Sequence, residues 1–380
     1  MKIPAFLIIA FFSFLLSAAP RLQNKLQLPG VIYAVPGIEC NIYFENTFLT
    51  INPANFAFEV KCAKGRCDEK RWRFTPKTTE TGSYDLTLRV FDDEGIVAER
   101  TAKVVVVPAD SGKGRELSLL LVGSSNIAHQ HAFPRHIYSL FQTPGNPALK
   151  MIGENGPADS KAVRHEGYGG WTYKLFTSAG RKRVKGRGSN HRENPFWNFK
   201  TASLDFPAYF KKNNSGKSPD FIIVSLGGND TFIWDDTNID KALAELRDRI
   251  RIFVSALRKA APDAVIGLNQ MEYCSKSQDA FGKNYGTLQT RWQTRKNLFK
   301  YRNMLEEFVK SSGDKKLFAI PIYIAIDNEN NVVRQKESAN ARNKTKVLRD
   351  ANGLHPLPAG YQQTADLVYA WIKYQLTQSK

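Results

Sequence analysis

Between residues 117 and 325 the chain carries four apolar runs of strand length: 117–122, 221–224 with Leu226, 264–268 and 317–325. Strands this continuously apolar are buried on both faces, which demands cover on both sides of a sheet. The stretches between them supply it. Leu243, Leu246, Ile250, Phe253 and Leu257 recur at helical spacing, and Pro262 closes that element. Tyr361, Ala365, Val368 and Ile372 repeat the pattern near the C-terminus, with Pro358 near its start. Buried strands alternating with amphipathic helices predict an α/β unit with a parallel sheet, over 117–380.

The preceding region has a different period. Tyr84, Leu86, Leu88 and Val90 alternate with polar neighbours, residues 92–95 (DDEG) read as a hairpin turn, and 101–107 as the partner strand. Further short runs at 31–33, 42–44, 56–60 and 72–74 complete an all-β pattern. Strands at this spacing predict a small sandwich over 20–108, of the immunoglobulin-like kind. The polar, Gly-containing stretch 109–116 reads as the linker to the α/β unit.

Residues 1–19 read as an export signal: Met1-Lys2, an apolar run over 5–16, then Ser17-Ala18-Ala19. The run is shorter than the roughly 20 residues a membrane span needs. No later segment is long and apolar enough, so no integral span is expected after signal removal, and the location is secreted or periplasmic. Export permits disulfides. Among Cys40, Cys62, Cys67 and Cys274, the pairs Cys62–Cys67 and Cys40–Cys62 are open, as are buried thiols.

The formal charge is +18, and the excess is local. Residues 161–217 hold thirteen Lys or Arg against Glu166, Glu193 and Asp205. The run 181–187 (RKRVKGR) is the centre of the patch, and 180–217 has little periodicity but carries Phe196, Trp197, Phe206 and Tyr209. No nucleic-acid-binding motif accompanies the patch, so nucleic acid is not the expected partner; an acidic glycan or anionic surface polymer is. Segment 180–217 reads as a loop over the site, its aromatics either facing substrate or anchoring it in the core.

Ligands of open α/β sheets sit beyond the carboxyl ends of the strands. Two strands end in turn-forming, hydrogen-bonding residues: Gly123-Ser124-Ser125-Asn126 and Gly227-Gly228-Asn229-Asp230. Between them lies 164–172 (RHEGYGGWT), and near the C-terminus 350–356 (DANGLHP). Ser125 is a candidate nucleophile and His355 the candidate base it needs. Ile127 occupies the second Gly position of Gly-x-Ser-x-Gly, which disfavours an α/β-hydrolase elbow. His129, His131 and His136 cluster without a carboxylate or Cys among them, so no metal site is expected.

In order and spacing these four blocks resemble the SGNH (GDSL-like) hydrolases, over about 117–372. Gly123-Ser124-Ser125 matches the first block with Ser124 at its Asp position. Gly170 matches the second, Gly227-Gly228-Asn229-Asp230 the third, and Asn352 through His355 the last, with Asn352 at its Asp position. The resemblance implies a flavodoxin-like three-layer sheet and a serine esterase without cofactor. Ser125 would attack an ester carbonyl and His355 act as base, with Asn352 or Asp350 supporting it. The Ser125 and Gly170 N–H groups and the Asn229 amide would form the oxyanion hole. Asp230, Trp171, Trp197 and Arg164 are candidate substrate contacts. With export and the basic segment, the implied substrate is an acylated glycan, neutral or anionic, most simply an acetylated carbohydrate. Ser124 and Asn352 depart from the family pattern and leave open a weak or inactive scaffold that binds glycan. A lipid esterase or thioesterase is the other alternative.

Overall fold

The computed structural model describes residues 20–128, 133–182, 191–271, 274–286 and 288–378. The expected export segment 1–19, His129 and His131, and residues 183–187 of the basic run lie outside them.

Strand Glu116–Gly123 is the centre of a parallel sheet. It pairs on one side with Phe221–Ser225, which continues to Val265–Asn269 and Leu317–Ile320. Its other neighbour is an edge strand in two pieces, Ala148–Ile152 and Glu166–Gly167. In order of appearance the strands run 2-1-3-4-5, the flavodoxin-like order. All of Phe221–Ser225 is buried, as its apolar composition requires. The fourth expected run stops early: Pro321 cannot donate to a ladder, and Ile322–Ile324 turns into a short 3-10 helix. Helix Ile239–Ala260 buries Leu243, Leu246, Ile250, Phe253 and Leu257. Helix Pro358–Gln378 sets Trp371 against Phe221 and Phe318.

The N-terminal region is β-rich. Val31–Ala34, Gly95–Val106, Gly82–Asp92 and Ala57–Cys62 form one sheet, and Cys40–Tyr43, Arg71–Phe74 and Arg66–Cys67 a second. The hairpin turns at residues 92–95, with a register shift at Val90/Phe91. Ile42, Trp72, Leu88 and Val104 are among its fully buried side chains. All four cysteines are free thiols, so neither disulfide considered from the sequence is formed. Cys62 pairs opposite Leu86 in the first sheet and Cys67 opposite Trp72 in the second.

The 22-residue helix Arg291–Ser312 joins the two regions. Arg295, 3% exposed, donates to Glu45 O, Thr50 O and Phe48 O and pairs with the Glu45 carboxylate at 3.3 Å. Arg302 donates to Gln27 Oε1 at 2.8 Å, and Gln27 donates back to Phe299 O at 2.9 Å. Among the described residues no helix is long and apolar enough to cross a membrane.

Candidate active site

The crevice of a 2-1-3-4-5 sheet opens where the chain leaves strand 1 and strand 3 on opposite courses. Gly123 ends strand 1, and a Cβ there would lie 2.4 Å from Ile127 Cγ1 and 2.9 Å from Ser225 O, so only glycine fits. Ser124 N donates to Ser225 O at 3.3 Å, and Ser124 O accepts from Ile127 N and Ala128 N. The chain thus turns at once into the single helical turn Ser125–Ala128, with Ser125 leading it. Ser124 is buried, and its main chain makes this turn.

His355 arrives from the loop after strand Lys346–Asp350. That loop is held from two directions. Cys274 Sγ donates to Leu354 O at 2.7 Å, and Cys274 N to Gly353 O at 3.1 Å. Asn352 Oδ1 accepts from Leu354 N and His355 N, both at 3.0 Å. His355 Nε2 then lies 2.8 Å from Ser125 Oγ, within reach for proton transfer. With the Ser hydroxyl donating, Nε2 is the unprotonated nitrogen. The two candidates for supporting His355 have other hydrogen bonds: Asn352 holds main chain, and the Asp350 carboxylate accepts from Ser275 Oγ at 2.7 Å and Arg334 Nε at 3.1 Å.

The third wall is the turn after strand 3. Gly227 adopts φ +105°, and a Cβ there would meet the Tyr301 ring at 2.2 Å. Asp230 accepts from Gly227 N at 3.2 Å and from Tyr173 N at 2.9 Å, tying this turn to the 168–173 segment. Burial pushes the Asp230 carboxyl up to about 7, against the pull of those N–H groups. Asn229 Nδ2 donates to Trp171 O at 3.0 Å. Gly170 stands next in that segment with φ +71°, and Arg181 donates to its carbonyl at 3.0 Å.

Beneath this segment Glu166 is fully buried, accepting from the Tyr168 and Tyr209 hydroxyls and from Glu154 N. Burial raises its carboxyl above the usual range, and burial, with Arg164 beside it, lowers His165 to about 4. Arg192 covers the Tyr168 ring at 4.9 Å and bonds Glu154 at 2.9 Å.

A pocket of about 400 Å³, open to solvent, brings Ser125, His355 and Asn229 together. The four expected substrate contacts do not line it. Trp171 is fully buried, 4.7 Å from both Tyr168 and Phe176. Asp230 is locked between two main-chain donors. Arg164 Nε donates to Gly153 O at 3.0 Å, and Trp197 belongs to a small hairpin with Leu204. The segment 180–217 is less irregular than its sequence suggests. It includes helix Phe206–Asn213, and Phe196, Phe206 and Tyr209 are buried core anchors.

Sequence reasoning missed the opposing lining: Phe232, Met271, Thr294, Leu298 and Leu354. Thr294 and Leu298 sit on helix Arg291–Ser312, whose buried Arg295, Asn297 and Arg302 mask its apolar periodicity. Among the described residues no group of His, Cys, Asp or Glu is arranged to hold a metal ion.

No curated protein matches the sequence. Similar solved structures include a Clostridium thermocellum family 3 carbohydrate esterase, 16% identical, TM-score 0.41, over 70% of this chain and 98% of that one. A carbohydrate esterase family 3 protein from Talaromyces cellulolyticus is 14% identical, TM-score 0.41, over 70% and 100%. A family two carbohydrate esterase from Clostridium thermocellum, solved with cellohexaose, is 12% identical, TM-score 0.36, over 91% and 94%. The family model for GDSL-like lipase/acylhydrolases matches residues 119–368, and the chain belongs to that family of ester-bond hydrolases.

Proposed function

We propose that this protein is an exported serine esterase that removes acetyl groups from a carbohydrate. The observation that carries the mechanism is the 2.8 Å contact between Ser125 Oγ and His355 Nε2 at the floor of the crevice. Ser125 Oγ bonds to the acyl carbon as His355 takes its proton. The tetrahedral oxyanion is met by the Ser125 and Gly170 N–H groups and the second Asn229 Nδ2 hydrogen. Collapse breaks the bond to the sugar oxygen, which leaves with the proton from His355. Water, deprotonated by the same imidazole, then cleaves the acyl-enzyme to acetate.

The enclosed part of the pocket is small, which favours a small acyl group over a long acyl chain. Arg181, which donates to Gly170 O, and the basic composition of 161–217 favour an anionic glycan. Export rests on residues 1–19, and the β-rich region, read as immunoglobulin-like, serves as a spacer or a glycan-facing module.

The test is labelling of the purified protein with a fluorophosphonate, mapped by mass spectrometry, alongside an ester series of increasing acyl length. Labelling at Ser125 that His355→Ala abolishes, with acetyl esters preferred, is expected. A folded protein that neither labels nor turns over any ester, yet binds glycan, would establish the binding-scaffold reading instead. Preference for long chains would establish a lipid esterase.

A further inference from the structure

The loop that carries His355 is the foot of a two-stranded ribbon. Strands Arg334–Ser338 and Lys346–Asp350 pair antiparallel. The pairing continues past them, where Ala351 N donates to Val333 O at 2.8 Å and Val332 lies opposite Pro356, the residue after His355. The two faces of the ribbon differ. Directly opposed residues share a face, and the faces alternate along the ladder. One face carries Arg349 and Glu337 and lies on helix Gln278–Tyr285, where Arg349 pairs with Asp279 at 3.0 Å and Glu337 with Lys283 at 2.9 Å. The other face has Arg334 paired with Asp350 at 3.1 Å at the foot, and beyond it Lys336, Leu348 and Lys346, all exposed. Arg342 and Lys344 are exposed at the tip. Lys346 Nζ donates to Ser338 Oγ at 3.3 Å, and among the described residues none of Lys336, Arg342, Lys344 and Lys346 has a carboxylate partner. Charge on the covered face is neutralised in place, and charge on the open face is not.

We propose that the open face of this ribbon binds an anionic glycan chain beyond the sugar that bears the ester. This rests on the carbohydrate esterase reading and extends it along the polymer. The sugar oxygen leaves with the proton from His355, so the alcohol half of the ester lies on the His355 side of Ser125, where the ribbon stands. Same-face residues are about 7 Å apart along a strand, which puts Lys336 and Lys346 about 7 and 14 Å beyond the Arg334–Asp350 pair. Such a row matches charges repeated along a chain better than a single anion. Residues 334–350 contain no Phe, Tyr or Trp on which bases could stack, which favours a polyuronate over nucleic acid.

The experiment measures binding of the purified protein to polygalacturonate, which bears no ester and is not consumed, and to neutral galactan, by affinity electrophoresis at low and high salt. A ribbon variant (Lys336→Ser, Arg342→Ser, Lys344→Ser and Lys346→Ser together) is compared with one that loses the same charge from exposed helix positions (Lys241→Ser, Arg247→Ser, Lys259→Ser and Lys310→Ser). The parent is expected to bind polygalacturonate and not galactan. The ribbon variant should bind it roughly tenfold or more weakly at low salt and the helix variant within about twofold of the parent, the difference vanishing at about 1 M salt. Equal weakening in both variants would mean that net charge alone attracts the polymer. No binding by the parent, equal binding of galactan, or tighter binding of single-stranded DNA or phosphatidylserine vesicles would exclude a polyuronate as the partner; each of these results overturns the proposal. Ester turnover is read separately: a protein that cleaves acetyl esters but fails these tests keeps the esterase reading, and one that binds through the ribbon without turnover loses it.

Discussion

Asn352 holds His355 by its main chain: the Asn352 side-chain oxygen accepts the His355 N–H at 3.0 Å, in the position where the family pattern places a carboxylate. Asn352→Ala therefore loosens the loop that aims the imidazole. Its kcat/KM on an acetyl ester should fall roughly tenfold, with stability lower by about 1 kcal/mol. Asn352→Asp can accept the same two N–H groups and should change kcat/KM by no more than about threefold. A gain approaching the roughly 10⁴-fold worth of a triad carboxylate would show that this side chain reaches the ring instead.

Asp230 gives the protein a pH dependence of defined sign. Its carboxyl is raised from 3.8 to about 7 by burial, so the folded state binds its proton more tightly than the unfolded chain does. Its contribution is fully present below about pH 4 and is lost as the pH rises through about 7. Asp230→Asn is less stable than the parent because its amide cannot accept from Gly227 N and Tyr173 N equally well. The gap between them should narrow as pH rises from about 4 to 8, read by urea unfolding at each pH. A gap that widens over that range contradicts the burial argument.

Gly227→Ala confronts both a positive φ and the Tyr301 ring 2.2 Å from the new Cβ. A loss of at least about 2 kcal/mol is expected, visible as a lower Tm and lower soluble yield. Tyr301→Phe gives up the 2.9 Å bond to Leu226 O and the contact with the Tyr173 hydroxyl, and should cost about 1–2 kcal/mol.

Arg295→Met takes the buried donor from three main-chain carbonyls and one of its cationic partners from Glu45, which keeps Arg291 at 3.9 Å. About 2–4 kcal/mol should be lost in chemical denaturation, mostly from the carbonyls left without a donor. A variant as stable as the parent would mean that the β-rich region merely rests on the helix.

The sequence made the buried strands legible because Phe221, Ile222, Ile223 and Val224 have no use for alternation in a sheet covered on both faces. Helix Ile239–Ala260 was legible through the spacing of its five apolar anchors. Ser125 stood out as a hydroxyl after a buried strand, and His355 as a base just ahead of the C-terminal helix. The edge strand did not, because Ala148–Ile152 carries Lys150 at its middle and Glu166–Gly167 is only two residues long. Trp171 was open to misreading for a physical reason. A Trp beside two glycines suits a sugar platform, yet here it is fully buried against Tyr168 and Phe176. The distal pocket wall stayed hidden because its helix buries Arg295, Asn297 and Arg302, whose value lies in partners far away in sequence.

Along that helix, Thr294 faces the pocket and Arg295 the β-rich region; Leu298 and Phe299 divide in the same way. Neighbouring codons thus serve two different selective pressures. A substitution that alters the seat of the N-terminal region falls one position from a residue of the pocket wall. A graft of the α/β portion onto another N-terminal partner would have to bring a helix matched to that partner, and that helix is also a wall of the pocket.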